Sequence, residues 1–168
     1  MLVIGIDPGT ATTGYGFVRQ TEDGNLQAVD YGVILTPPKM PMAERLALLY
    51  KSLNEVLQLH PPESGAVEKL FFQKNVRTAI SVGQARGVAL LALAQAGLKV
   101  GEYAPTDIKQ AVTGYGAADK RQVQEMVRTL LDLNEIPKPD DAADALAVAI
   151  CHAHSLHTQT LFNTGTEN

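Results

Sequence analysis

Residues 2–6 read LVIGI, a short apolar run that stops at Asp7 and is followed by the turn-forming pair Pro8 and Gly9. A run of this length and composition is typical of a buried β-strand. An ionised carboxylate at the end of a buried strand is costly unless a positive charge meets it. Asp7 is therefore the first candidate for a functional residue, although an ordinary Asp-Pro-Gly turn would also explain it.

Hydrophobic periodicity and turn signals predict four further strands and five helices. The first three strands are expected to form an antiparallel meander, and the later strands to be joined by helical crossovers. We therefore expect an α/β fold, a mixed five-stranded sheet with helices on both faces. The later strands are predicted at 15–20, 26–35, 66–71 and 100–104, and the helices at 41–59, 76–96, 106–113, 119–133 and 140–154.

The length and composition predict one domain over residues 1–155 and a disordered tail over 156–168. Cys151 is the single cysteine, so no intrachain disulfide can form and a reducing compartment is favoured. The apolar N-terminal run is too short for a signal peptide, and no stretch approaches the length of a membrane span. These features predict a soluble cytoplasmic protein that does not contact a membrane.

The charge is distributed unevenly. The net charge is −4, yet residues 69–128 contain nine Lys and Arg side chains against four acidic ones. A basic face of this kind fits a polyanion, and ordinary solvated helix faces would explain it equally well.

Further carboxylates occur at two other places. Glu68 lies within the predicted strand 66–71, and Asp140, Asp141 and Asp144 open the last predicted helix. Each has an ordinary explanation: an ion pair for Glu68, and an N-cap or a favourable helix dipole for the others. If the elements are neighbours, however, the acids would repel one another without a cation. A ligand set of oxygens alone indicates a hard ion such as Mg²⁺ or Mn²⁺, and two such ions can promote phosphodiester hydrolysis.

Five motifs, in order over residues 2–154, resemble the RuvC family of Holliday-junction resolvases. They are GIDPGTATTGYG, AVEKLFFQKN, GQARGV, DIKQAVTGYGAADKRQVQEMV and DDAADALAVAICHAH. The resemblance implies an RNase H-like fold and a homodimer that nicks four-way junction DNA symmetrically, with partners of the RuvA and RuvB type. It also implies that Asp7, Glu68, Asp141 and Asp144 are the catalytic, metal-binding acids. Asp140 could share or replace the role of Asp141.

Aromatic and basic residues follow Glu68. Phe71 and Phe72 are adjacent in a chain with only nine aromatic residues, and strand alternation would bury one of the two rings. The resemblance implies that Phe71 faces DNA, where a ring can stack on unpaired bases, and that Lys109 and Lys120 contact the phosphate backbone. The cations predicted to contact DNA are Lys69, Lys74, Arg77, Lys109 and Lys120.

Two further features leave alternatives open. Ala79, Gly83 and Gly87 form a small-residue stripe in the predicted helix 76–96, which indicates close packing against the sheet or against a second subunit. His152, His154 and His157 lie beside Cys151, but their spacing gives no tetrahedral metal set, so we expect a solvated or partly buried helix end.

Two other functions compete with a nuclease. The DPGT turn also occurs in actin-like ATPases, but that architecture needs two such domains around the nucleotide, and Glu68, Asp141 and Asp144 have no evident purpose in it. A non-catalytic junction-binding scaffold would also keep the fold. The presence of all four acids argues against lost activity.

Overall fold

The computed structural model describes residues 1–70 and 76–164, with side chains up to residue 160. Five strands form one mixed sheet in the order β3-β2-β1-β4-β5, in which β1, β2 and β3 are antiparallel and β4 and β5 run parallel to β1. The strands are Leu2–Asp7, Thr12–Gln20, Leu26–Leu35, Ser64–Glu68 and Lys99–Tyr103. The helices α1 to α5 are Met42–Leu59, Val76–Gln95, Pro105–Thr113, Lys120–Leu130 and Asp140–Thr164. The predicted α/β fold is confirmed.

The central strand β1 explains why both faces of the sheet are covered. Val3 packs into a hydrophobic cluster with residues of α3, α4 and α5. Ile4 and Ile6 pack on the opposite face with residues of α1 and α2. All three side chains are fully buried, because alternate residues of a strand point to opposite faces and this strand is apolar throughout. Asp7, the polar residue that ends β1, therefore lies at the edge of the hydrophobic core.

Helix α5 lies unusually close to the sheet. A Cβ atom added at Gly5 would come within 2.2 Å of the carbonyl oxygen of Ala145, and one added at Gly14 within 1.9 Å of the carbonyl oxygen of Asp141. Any side chain at these two strand positions would therefore push the helix away. Glycines on the strands and alanines on the helix together bring the start of α5 to the end of β1.

Two predicted strand boundaries are wrong. Strand β2 begins at Thr12 instead of residue 15, because Thr12 pairs with Leu35 in the antiparallel ladder. Strand β4 ends at Glu68, so this acid ends its strand instead of lying within it.

At the C-terminus, α5 continues to Thr164, ten residues beyond the predicted end at 154. No Gly or Pro interrupts residues 140–164, so nothing in this stretch breaks the helix. The prediction of a disordered tail from residue 156 is therefore wrong as far as residue 164. Among the described residues, no helix combines the length and apolar character that crossing a membrane requires.

Candidate active site

Three carboxylates meet where β1 ends and α5 begins. One carboxylate oxygen each from Asp7, Asp141 and Asp144 lies within 4.8 Å of the others, and all three residues are partly buried. Asp141 and Asp144 are three residues apart on α5, so they share one face of the helix. Parts of the chain that are more than 130 residues apart in sequence thus supply one acidic cluster.

The loop after β1 holds Asp7 in place. The Thr13 hydroxyl donates a hydrogen bond to the Gly9 carbonyl at 2.6 Å and accepts one from the Gly9 amide at 3.3 Å. Asp7 itself pairs with Gly14 in the β1–β2 ladder. Because Gly14 is also the residue against which α5 packs, the same short segment fixes both Asp7 and Asp141.

The carboxylates of the cluster are partly buried and repel one another. Burial raises the pKa of Asp7 to about 8, and the charges of Asp144, Glu68 and Asp141 add to that increase. Burial also raises the pKa of Asp144. Closely spaced carboxylates in a desolvated site either retain protons or bind a positive ion.

Glu68 faces the same site from the neighbouring strand. Strands β1 and β4 are parallel, with Ile6 paired to Val67. Asp7 and Glu68, the next residue of each strand, therefore lie side by side at the same end of the sheet. Burial and the charge of Asp144 raise the pKa of Glu68, while Lys109 lowers it. Glu68 is not a member of the set within 4.8 Å. It lines a cleft together with Asp144, Lys109 and Lys120.

Asp140 lies outside the cluster and is paired with Lys120. The Lys120 ammonium is 3.1 Å from Asp140 Oδ2 and 3.4 Å from Asp144 Oδ2. The Gln124 amide donates to Asp140 Oδ1 at 3.2 Å, and the hydrogen bond from Lys120 lowers the pKa of Asp140. Partial burial acts to lower the pKa of Lys120, but the hydrogen bond to Asp140 and the charge of Asp144 raise it. Asp140 therefore forms an ion pair with Lys120, whereas Asp141 belongs to the acidic cluster.

Only some of the residues predicted to contact DNA lie in the described part of the chain. Lys109 and Lys120 border the acidic cleft, and Lys69 and Arg77 are exposed. Phe71, Phe72 and Lys74 lie outside the described residues. The cleft thus combines carboxylates, which suit a hard divalent cation, with lysines, which suit phosphate oxygens.

Comparison with known proteins places this site in a family. A family model described as crossover junction endodeoxyribonuclease RuvC matches residues 3–152. The chain belongs to the RuvC family. The RuvC of Chloroflexus aggregans is 59% identical over 162 residues, which cover 96% of this chain and 98% of that protein.

Solved RuvC structures share the fold. Thermus thermophilus RuvC superposes with a TM-score of 0.88 at 40% identity, over 95% of this chain and 98% of that one. The same protein in complex with a Holliday junction substrate gives a TM-score of 0.86 at 37% identity, over 94% and 96% of the two chains. The RNase H-like fold is thereby confirmed, and RuvC membership excludes the actin-like ATPase.

Some features of the RuvC site were not anticipated from the sequence. The helix end was expected to be solvated or partly buried, but His152 is almost fully buried. Its two ring nitrogens are hydrogen-bonded to Ser64 and Tyr103 at 2.8 Å each. Burial lowers the pKa of His152 to about 4, so the ring is neutral and ties α5 to strands β4 and β5. The glycines in GTATTGYG, paired with the alanine-rich start of α5, were the available signal for the close helix–sheet contact.

Proposed function

We propose that this chain resolves four-way (Holliday) junctions by paired symmetric nicks, each made by divalent-metal-catalysed phosphodiester hydrolysis. The observation that carries the proposal is the convergence of Asp7, Asp141 and Asp144 at one point in a chain of the RuvC family. The solved complex of Thermus thermophilus RuvC with a Holliday junction supports the choice of substrate. The cellular role that follows is homologous recombination and DNA repair.

Asp7, Glu68, Asp141 and Asp144 are the proposed catalytic and metal-binding residues, holding Mg²⁺ or Mn²⁺, two ions per site. The all-oxygen donor set of these four residues, together with the raised pKa values of Asp7, Glu68 and Asp144, fits a hard cation. Bound ions of this kind stabilise the attacking and leaving oxygens of an in-line hydrolysis.

The cations around the cleft have a separate role. Lys109 and Lys120 border the acidic residues, and we propose that they bind the phosphates next to the cleaved bond. Lys69 and Arg77 extend this basic surface. The contacts of Phe71 and Lys74 with DNA, and the stacking of Phe71 on bases at the crossover, remain predictions.

The functional unit is proposed to be a homodimer. Helix α2 exposes apolar side chains along one face, with Val76 at 69%, Ile80 at 59% and Leu91 at 49% exposure, and a second copy of the chain would cover this face. A four-way junction has two-fold symmetry, and an isologous dimer places two active sites about the same axis. Branch-migration proteins of the RuvA and RuvB type are the proposed partners, and the cytoplasm is the proposed location.

A cleavage assay tests this function. The protein is incubated with an end-labelled four-way junction and with a linear duplex of the same sequence, with Mg²⁺, with Mn²⁺ and with a chelator. The proposal expects symmetric nicks in strands of like polarity, in the junction and only with metal. Equal cutting of the linear duplex, or cutting in the presence of chelator, would contradict it.

A further inference from the structure

Arg86 lies in the GQARGV motif of helix α2 and reaches across to the strand that ends in Glu68. Its Nε donates a hydrogen bond to the backbone carbonyl of Glu68 at 3.2 Å. Its Nη2 donates to the Glu102 carboxylate on the adjacent strand β5. The Arg86 side chain is only 18% exposed, whereas that of Glu102 is 43% exposed. The hydrogen bond to the Glu68 carbonyl is therefore the one that forms in a partly desolvated setting, where charge-assisted hydrogen bonds are strong.

The position of these contacts matters because the β4–β5 ladder finishes at this point. Glu68 pairs with Tyr103, and the Lys69 amide donates to the Tyr103 carbonyl at 2.8 Å. Glu68 is the last residue of β4. Arg86 holds the last strand residue from the helix side, and Glu102 fixes the plane of the guanidinium group.

We propose that Arg86 is a positioning residue that holds Glu68 at the metal site, and that Glu102 orients Arg86 for this purpose. The inference rests on the proposed function, in which Glu68 binds metal. A planar guanidinium can bond a carbonyl and a carboxylate at the same time, whereas an ammonium lacks this fixed fork. The pair therefore acts as an outer layer of the metal site, although neither residue is a ligand.

The test measures metal binding directly. Mn²⁺ affinity is determined by calorimetry, without DNA, for the wild type, Arg86→Met, Arg86→Lys and Glu102→Gln, and thermal melting is recorded for each. Loss of an outer-layer partner typically weakens metal binding by 10–100-fold, and we expect about tenfold for Arg86→Met. We expect smaller losses for Arg86→Lys and Glu102→Gln. Cleavage by all three variants should recover when Mn²⁺ is raised to saturation.

Two controls separate the possible failures. Arg128→Met removes another Arg–Glu pair, with Glu125 at 3.1 Å on α4, and should leave Mn²⁺ binding unchanged. Glu68→Gln should weaken binding at least as much as Arg86→Met. Wild-type Mn²⁺ affinity in Arg86→Met together with weakened affinity in Glu68→Gln would overturn the role of Arg86 alone. Wild-type affinity in Glu68→Gln would also overturn the proposed ligand role. A similar loss in Arg128→Met would show that the effect is not specific to Arg86.

Discussion

At Asp7 the requirements of stability and of function oppose each other. The residue ends a fully apolar strand, and burial together with three neighbouring acids raises its pKa from 3.8 to about 8. The folded protein therefore binds a proton at Asp7 more tightly than the unfolded chain does. The contribution of Asp7 to stability is fully present below about pH 4 and is lost as the pH rises through 8.

This linkage gives a prediction for the chelator-treated protein. Between pH 5 and pH 8, the melting temperature of the wild type should fall relative to that of Asp7→Asn, whose side chain does not ionise. At pH 8 the variant should be the more stable of the two by at least about 2 °C. Scanning calorimetry in a chelator across this range measures the difference. Parallel pH profiles for the two proteins would show that Asp7 is not desolvated as described.

The two adjacent aspartates of α5 should behave differently. Asp141 lies in the acidic cluster, whereas Asp140 is 64% exposed and paired with Lys120. Asp141→Asn should therefore abolish cleavage. Asp140→Asn should reduce it by at most about fivefold, since exposed ion pairs contribute at most about 1 kcal/mol. Single-turnover rates at saturating metal compare the two variants, and a larger loss at Asp140 would reverse the assignment.

That Asp7 meets acids of the last helix could be predicted from the residues, but which of the neighbouring aspartates Asp140 and Asp141 joins the cluster could not. Spacings of three and four on a helix are equally compatible with either Asp140 or Asp141 joining Asp144. The choice depends on where α5 contacts the sheet and on Lys120, which begins a different helix. Both depend on the tertiary structure. The pairing of Arg86 with Glu102 was unpredictable for the same reason.

At the scale of elements, the contact between β2 and α5 controls the site. A Cβ atom at Gly14 would overlap the backbone of Asp141, so Gly14→Ala should shift the start of α5 away from Asp7. We expect a loss of about 1–3 kcal/mol in the free energy of unfolding and a fall in cleavage of tenfold or more, because misplaced catalytic groups are costly.

Gly87→Ala is the matched control for the effect of Gly14→Ala on stability. Among the described residues, no atom lies within 4 Å of a Cβ atom added at Gly87, and alanine in a helix interior stabilises the helix by up to about 1 kcal/mol relative to glycine. Chemical denaturation and junction cleavage are measured on both variants. Wild-type stability and activity in Gly14→Ala would show that the close approach of α5 is not required.

The elements themselves followed well from periodicity, and their ends followed less well. The start of β2, Thr12-Thr13-Gly14, lacks the apolar alternation that marks a strand, and its pairing with β3 reveals it. The continuation of α5 to Thr164 was missed because the apolar pattern weakens before the helix ends. Long-range pairing decides the start of β2 and does not appear in a local pattern. The absence of Gly and Pro after residue 154 does appear in the sequence, and it was the available signal for the longer helix.

At the scale of the whole molecule, the small-residue stripe on α2 divides between two surfaces. Ala79 is buried, whereas Gly87 is exposed. In the part of the chain that the structure describes, a Cβ atom at Gly83 would contact the Leu70 side chain alone, at 3.5 Å. The stripe is therefore not a single helix–sheet contact, and its outward part is available to a second copy of the chain.

Gly83→Leu should accordingly disrupt the dimer before it disrupts the fold. Analytical ultracentrifugation at micromolar concentration should give a dimer for the wild type and a monomer for the variant. Circular dichroism should remain unchanged, and paired nicking should be lost. A wild type that sediments as a monomer would contradict the dimer. A variant that stays dimeric but unfolds at lower temperature would assign Gly83 to internal packing.

The central claim is that the carboxylates at the end of β1 and the start of α5 hold the metal with which the protein cleaves the junction. The most direct measurement is single-turnover cleavage of an end-labelled four-way junction by the wild type and by Asp7→Asn, with binding measured on the same samples. Metal-dependent cleavage should be abolished in the variant. Junction binding should be equal or tighter, because one carboxylate no longer repels phosphate. Cleavage by Asp7→Asn at the wild-type rate would contradict the assignment of this cluster as the active site.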